Sequence, residues 1–364
     1  MEKYMEKRKT LDIAFALYGH YGEIEEIQHY YGLLAIYALA QASFEKGDEA
    51  HLEQCRRVLD RYPDKIVHPY YNFPCYRVGG NASAWACMRG VHDRSIKELE
   101  AFAEQTMAGP KEAQGILCMP GGEKEGKIWI DVATAVTPFM LFTGLVCERE
   151  EYINFAAEQA FRMYEILLDP SCGLLHQCRG FREDSSLYSE DHWSRGNGWG
   201  YLALAELVQY LPEASIHREK AERYYKALSA AILPWQSEKG LWRQEMTEKI
   251  SWEESSGTAL LLYGMGVGLR KGILAKEKYE EVFQKGINGL LGYCINRDFS
   301  TEMSCPGCLC PGEGAEKGTI QAYITEKQPA RDEHHSFGAF MLALVEAHRN
   351  GYAEVDWEGR KLWK

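Results

Sequence analysis

The chain has 364 residues, room for one large domain or two ordinary ones. Hydrophobic residues make up 46% and charged residues 26%, a balance that gives a soluble globular protein a sizeable core. The formal net charge of −12 argues against nucleic acid or an anionic membrane surface as partner, because either needs a basic face; a small anionic ligand needs only one or two arginines inside a pocket.

In chain order, the first ten residues, MEKYMEKRKT, lack the apolar core of a signal peptide. Helical patterns of two alternating kinds then run from end to end. Amphipathic, charged stretches cover Lys7–Tyr18, Glu49–Tyr62, Arg94–Met107, Glu151–Leu168, His217–Leu233 and Glu277–Asn296. Between them lie apolar stretches rich in small residues: Tyr31–Phe44, Asn81–Gly90, Asp131–Val146, Asn197–Leu211, Ser255–Leu269 and Ser336–His348. Helices apolar nearly all round belong inside a fold and one-sided helices outside it. No apolar run is long enough to span a bilayer. The cysteines number eleven and no export signal accompanies them, so they read as reduced thiols and the expected address is the cytoplasm.

An internal echo accompanies the alternation. Gly115-Ile116-Leu117 leads to Trp129-Ile130-Asp131, Gly173-Leu174-Leu175-His176 to Trp193-Ser194-Arg195, and Gly240-Leu241-Trp242 to Trp252-Glu253-Glu254, each followed by an apolar helix. Six such hairpins closing on themselves give an all-α fold, the (α/α)6 toroid, with inner and outer helix rings. Nothing resembles a linker, so residues 1–364 read as a single domain. An open helical solenoid is the alternative.

One end of such a toroid gathers Trp129, Asp131, His176, Trp193, Arg195, Trp199, Trp252 and Glu254. Carboxylates among indoles suit a sugar, whose ring faces are apolar and whose rim needs hydrogen bonds. An arginine among them suits a sugar that bears a carboxylate, which a guanidinium grips with two parallel hydrogen bonds.

The most specific stretch is Trp193-Ser194-Arg195-Gly196-Asn197-Gly198-Trp199. Around it stand Trp129-Ile130-Asp131 with Pro138-Phe139, Gly173-Leu174 with His176, Gly240-Leu241-Trp242 with Gln244, Glu254-Ser255-Ser256-Gly257-Thr258-Ala259 and Phe337-Gly338-Ala339-Phe340. In order and spacing the set resembles the unsaturated glucuronyl and rhamnogalacturonyl hydrolases, glycoside hydrolase families 88 and 105, from about Asp131 to the C-terminus. The resemblance implies an (α/α)6 toroid with no metal or organic cofactor. It implies that Asp131 protonates C4 of a 4,5-unsaturated uronyl ring and activates the water that adds at C5. It implies that His176, Trp193, Arg195 and Trp199, with Trp129 and Glu254 beside them, bind the substrate, a small anionic oligosaccharide such as an unsaturated uronyl disaccharide. A cytoplasmic address suits imported products of a polysaccharide lyase. One departure stands out: a second aspartate common in the family, in a D-x-I-N-like context, reads as Val78 in Val78-Gly79-Gly80-Asn81.

Plainer readings stand beside these. Asp131 suits a helix N-cap, Arg195 a partner for Asp191, Trp199 the core, His176 a structural role and Glu254 a cap on the next helix. In a conventional inverting glycosidase Glu254 is instead the second carboxylate beside Asp131; a non-catalytic sugar-binding protein is a third reading. Cys305-Pro306-Gly307-Cys308-Leu309-Cys310 lacks an obvious fourth ligand and reads as turn chemistry rather than a zinc site, while the irregular segment from Asp298 to Asp332 reads as a lid. At a helix entrance the macrodipole lowers the pKa of Asp131; desolvation beside Trp129 and a bound carboxylate raise it.

Overall fold

The computed structural model describes residues 7–62, 73–94, 96–118, 121–308 and 317–360. Its helices alternate between two rings. In chain order they are α1 (Thr10–Ile24) outside, α2 (His29–Lys46) inside, α3 (Glu49–Leu59) outside, α4 (Gly80–Met88) inside, α5 (Ile96–Met107) outside and α6 (Asp131–Val146) inside. The alternation continues with α7 (Glu150–Leu167) outside, α8 (Ser194–Tyr210) inside, α9 (Arg218–Ile232) outside, α10 (Ser255–Arg270) inside and α11 (Lys276–Tyr293) outside. A short α12 (Ile320–Glu326) precedes the last inner helix, α13 (His334–Arg349). No helix among the described residues is long and apolar enough to cross a membrane.

The division follows the side chains. In α10 every residue from Ser255 to Leu269 is buried, which requires neighbours on all sides. In α9 only Ala221, Tyr225, Leu228, Ser229 and Ile232 are buried, one stripe at helical spacing. Around the inner ring α2 packs on α4, α4 on α6, α6 on α8, α8 on α10, α10 on α13 and α13 back on α2. The ring therefore closes, and the open solenoid is excluded. The chain ends meet as well: β1 (Lys7–Lys9) pairs antiparallel with β6 (Glu354–Asp356).

The internal echo has a physical counterpart. Each repeat donates a backbone N–H from the entrance of its inner helix to a carbonyl in the next loop: Ile130 to Gln177 (2.9 Å), Ser194 to Gln244 (2.9 Å) and Ser255 to Met303 (2.8 Å). The two-residue strands β2 (Ile128–Trp129) and β3 (Cys178–Arg179) reinforce the first of these joints and a Trp193–Glu245 bridge the second, while β4 (Trp242–Arg243) pairs with β5 (Glu253–Glu254) within one loop. The loops at one end of the ring are thus laced to each other around its rim.

The middle of the ring is filled by a buried polar belt. Glu206 of α8 accepts hydrogen bonds from Tyr37 of α2 (2.8 Å) and Tyr263 of α10 (2.5 Å). Toward the far end Glu346 of α13 pairs with Arg270 of α10 (3.0 Å) and Arg349 (2.8 Å). Burial pushes the Glu206 carboxyl up to about 7.

Candidate active site

At the laced end, α2, α6, α8, α10 and α13 all begin, bringing Tyr30, Asp131, Arg195, Ser256 and His335 within their first turns. Inner-helix N-termini pointing the same way concentrate positive potential there, although the whole chain is acidic.

Two connected hollows occupy this end. A narrow slot is lined by Trp129, Asp131 and Trp199, with Tyr30, Tyr76 and Asn81 among its other walls. Beside it lies a cavity of about 270 Å³ whose walls include Asp131, Trp193, Arg195, Cys308, Glu333 and His335. Asp131 and Arg195 therefore share a cavity, as the motif spacing requires.

Asp131 opens α6 as its first helical residue. Its Oδ2 is buried and has no hydrogen-bond partner. Burial pushes its carboxyl up to about 6, against the opposing pull of the Arg195 charge, the helix backbone and a hydrogen bond from the Gln177 side chain. Desolvation thus outweighs the helix N-terminus, which alone would keep the group ionised.

Arg195 is 1% exposed, and its guanidinium lies 4.6 Å from the Trp193 ring centroid. Its Nη1 donates to the Ser256 hydroxyl (2.9 Å) and the Cys305 carbonyl (2.6 Å) and lies 3.6 Å from Glu333 Oε2; its Nε is buried without a partner. Despite its burial, the facing Glu333 carboxylate keeps the guanidinium protonated. Asp191, the alternative partner suggested by sequence, instead accepts the Trp193 backbone N–H (3.1 Å).

Further buried polar atoms without partners lie on the same walls: Nε1 of Trp129, Trp193 and Trp199, and Oδ1 of Asn81. Folded proteins leave few such groups, so their convergence on one pair of hollows marks a place built for a polar guest. Asn81 is held there by an α6 irregularity. Pro138 has no N–H to offer the Thr134 carbonyl four residues earlier, and the Asn81 amide nitrogen fills the gap at 3.2 Å.

Two expected positions fall elsewhere. Glu254 is fully buried behind Arg195, where it caps α10: it accepts the N–H groups of Ser256 (2.9 Å), Gly257 (2.5 Å) and Cys305 (3.0 Å) and the hydroxyls of Ser256 (2.5 Å) and Ser194 (3.2 Å). It lines neither hollow, so the capping reading describes its geometry. His176 also lines neither; its ring lies between those of Tyr188 and His192, at 5.4 and 5.2 Å, and burial lowers its pKa. Its neighbour Gln177 points the other way and bonds both Asp131 and the Tyr323 hydroxyl.

Sequence reading missed Gln177, Tyr30, Glu333, His335 and Tyr323. Gln177 stands next to His176 just before β3, and no sequence pattern separated the two. The segment from Asp298 to Asp332 does reach the site, through Pro306, Gly307 and Cys308 on the cavity wall and Tyr323 on α12. The Cys305 thiol is buried and donates to the Gly307 carbonyl (3.0 Å), as turn chemistry predicts; Leu309 and Cys310 lie outside the described residues. Val78 is buried, and among the described residues the acids lining the two hollows are Asp131 and Glu333.

The family model described as Glycosyl Hydrolase Family 88 matches residues 80–351. The chain belongs to that family. An unsaturated 3S-rhamnoglycuronyl hydrolase of an Alteromonas species is 26% identical over 139 residues, which span 37% of this chain and 34% of the relative. The chain thus aligns with about a third of that relative's length. A family 105 glycoside hydrolase structure from Clostridium (C. acetobutylicum) superimposes with a TM-score of 0.76 at 19% identity, covering 94% of this chain and 99% of that one. The unsaturated glucuronyl hydrolase of Bacillus sp. GL1 gives 0.67 at 16% identity, covering 96% and 97%. These family 88 and 105 folds are the (α/α)6 toroid that the closed ring forms here.

Proposed function

We propose that this family 88 chain is a glycoside hydrolase that removes a 4,5-unsaturated uronic acid from the non-reducing end of a short oligosaccharide. The observation that carries the reading is Asp131: a carboxyl pushed up to about 6, with Oδ2 unpartnered, in one cavity with a buried arginine. A general acid works best when its pKa lies near the working pH.

The uronate carboxylate binds the free donors of Arg195, and the indoles of Trp129, Trp193 and Trp199 supply apolar faces and unpartnered N–H groups. Asp131 gives its proton to C4 as water adds at C5. The resulting hemiketal opens, and the remaining sugar leaves. The activity named for the Alteromonas relative agrees with this reading. A conventional inverting mechanism through Asp131 and Glu254 finds no support, because capping bonds occupy both Glu254 oxygens.

The test is loss of the double-bond ultraviolet absorbance on mixing with unsaturated uronyl disaccharides. Turnover is expected from the native chain and not from Asp131→Asn, whose side chain is nearly isosteric. Release of a saturated sugar without consumption of the double bond, or binding without turnover, would overturn the proposal.

A further inference from the structure

Among the described residues, Tyr30 and Asp131 are the two that line both the slot and the larger cavity. A guest that occupies both hollows meets both residues. Asp131 is the acid of the proposed reaction. Tyr30 is the start of a chain of three side chains drawn from distant parts of the sequence.

The Tyr30 hydroxyl bonds Nε2 of His335, whose Nδ1 bonds Glu333 Oε1 at 2.6 Å. Glu333 Oε2 accepts the Ser304 hydroxyl (2.9 Å) and the His335 backbone N–H (3.1 Å). Although burial opposes it, His335, the Arg195 charge and the Ser304 hydroxyl hold Glu333 down to about 2. Glu333 is therefore an acceptor only. That assigns a proton to His335 Nδ1 and leaves Nε2 to accept the phenol O–H. Burial and the nearby Arg195 charge lower the His335 pKa, which favours the neutral ring. Phenol, neutral imidazole and carboxylate in series can take up a proton at the phenol oxygen and store it as imidazolium beside the carboxylate.

We propose that Tyr30, backed by His335 and Glu333, is the base that takes the proton of the water adding at C5. This rests on the function proposed above and gives to Tyr30 the water activation that the family resemblance assigns to Asp131. The water oxygen bonds C5, its proton passes to the Tyr30 oxygen, and the phenol proton moves to His335 Nε2. The alkene electrons meanwhile form the C4–H bond with the Asp131 proton. When the hemiketal opens, the C5 hydroxyl proton returns to Asp131. The C5–ring-oxygen bond breaks, and the ring oxygen takes the relay's stored proton. Both groups are restored, and one water has been added. Tyr30 is the catalytic residue; His335 and Glu333 act through it.

The groups facing His335 are Tyr30 and Tyr31 of α2, Glu333 and His334 of its own segment and Arg195 of α8. Activity should rise with pH as His335 loses its proton and fall as Asp131 loses its own near 6. The test is kcat, KM and pH profile for the native chain, Tyr30→Phe, His335→Gln and Asp131→Asn, with melting curves to confirm folding. Tyr30→Phe should lower kcat by roughly 100-fold with little change in KM, abolish the acidic limb and keep the alkaline one; His335→Gln should do the same. Native kcat in Tyr30→Phe, or a reduced kcat with both limbs intact, overturns the relay while leaving the hydrolase reading in place. A native chain inert toward the double bond overturns both.

Discussion

At Asp131, burial on one side competes with a helix N-terminus, Arg195 and Gln177 on the other, and burial prevails. The sign can be followed into solution. A carboxyl raised from 3.8 to about 6 costs the fold nothing while it is protonated in both states, below pH 4. As pH rises from about 4 to about 6 the unfolded chain ionises while the folded one stays protonated, and above 6 the folded state has lost up to about 3 kcal/mol. Asp131→Asn should therefore unfold at a higher urea concentration than the native chain at pH 8 and at an equal one at pH 4. In catalysis, the alkaline limb of kcat/KM should fall near pH 6, and that of kcat at higher pH, because a bound uronate repels the ionised form; coincident limbs would refute that coupling. Arg195→Ala should weaken uronate binding by roughly 2–5 kcal/mol, read as a higher Kd for the disaccharide with Asp131→Asn as background. Asp131, Arg195 and the tryptophans were legible because each sits in a short contiguous motif. Tyr30 and His335 were not: they meet across 305 positions of sequence and belong to no local pattern.

Among the elements, α8 and α10 carry the instructive differences. The sequence pattern starts the fourth inner helix at Asn197; the helix begins at Ser194 and runs through Gly196-Asn197-Gly198. Glycine is a poor helix former, but a Cβ at Gly198 would lie 2.7 Å from Leu260 Cβ, so close packing against α10 selects glycine over helix propensity. The earlier start places Arg195 in the first helical turn, directed by α8 rather than by a loop. Glu254 was read either as a cap or as a second carboxylate, and only coordinates could separate these, since both need an acid at the same entrance. Its bonds to Cys305 and Ser256 hold the two groups that accept from Arg195 Nη1. Glu254→Gln, which puts a donor where at least one backbone N–H already points whichever way its amide lies, should lower stability by about 3–5 kcal/mol in chemical denaturation. Binding should weaken too, because the arginine loses its support.

For the molecule as a whole, the twelve ring helices and their ring assignment were legible from composition, because burial on all sides and on one side demand different side chains; the short α12, inside the segment read as irregular, was not. Closure was not, because it depends on α13 meeting α2 across the full length of the chain. That seam is tight: a Cβ on Gly338 would lie 2.7 Å from the Ala35 nitrogen and 2.8 Å from the Leu34 carbonyl carbon, backbone atoms that cannot swing aside. Gly338→Ala should cost about 1–3 kcal/mol in urea unfolding with an unchanged slope. A native midpoint would mean that the ring has slack at its last joint. The polar belt, finally, makes the vessel bottomless in name only. Glu206, Tyr37 and Tyr263 bond across its middle, and Glu346 is bound to Arg270 and Arg349 below, so among the described residues the centre of the ring is occupied by side chains. On the proposed function, a sugar enters tip first and leaves by the same mouth before the next tip can follow. Such an enzyme would trim, one residue per visit, and its throughput would track the number of ends in solution rather than the mass of sugar.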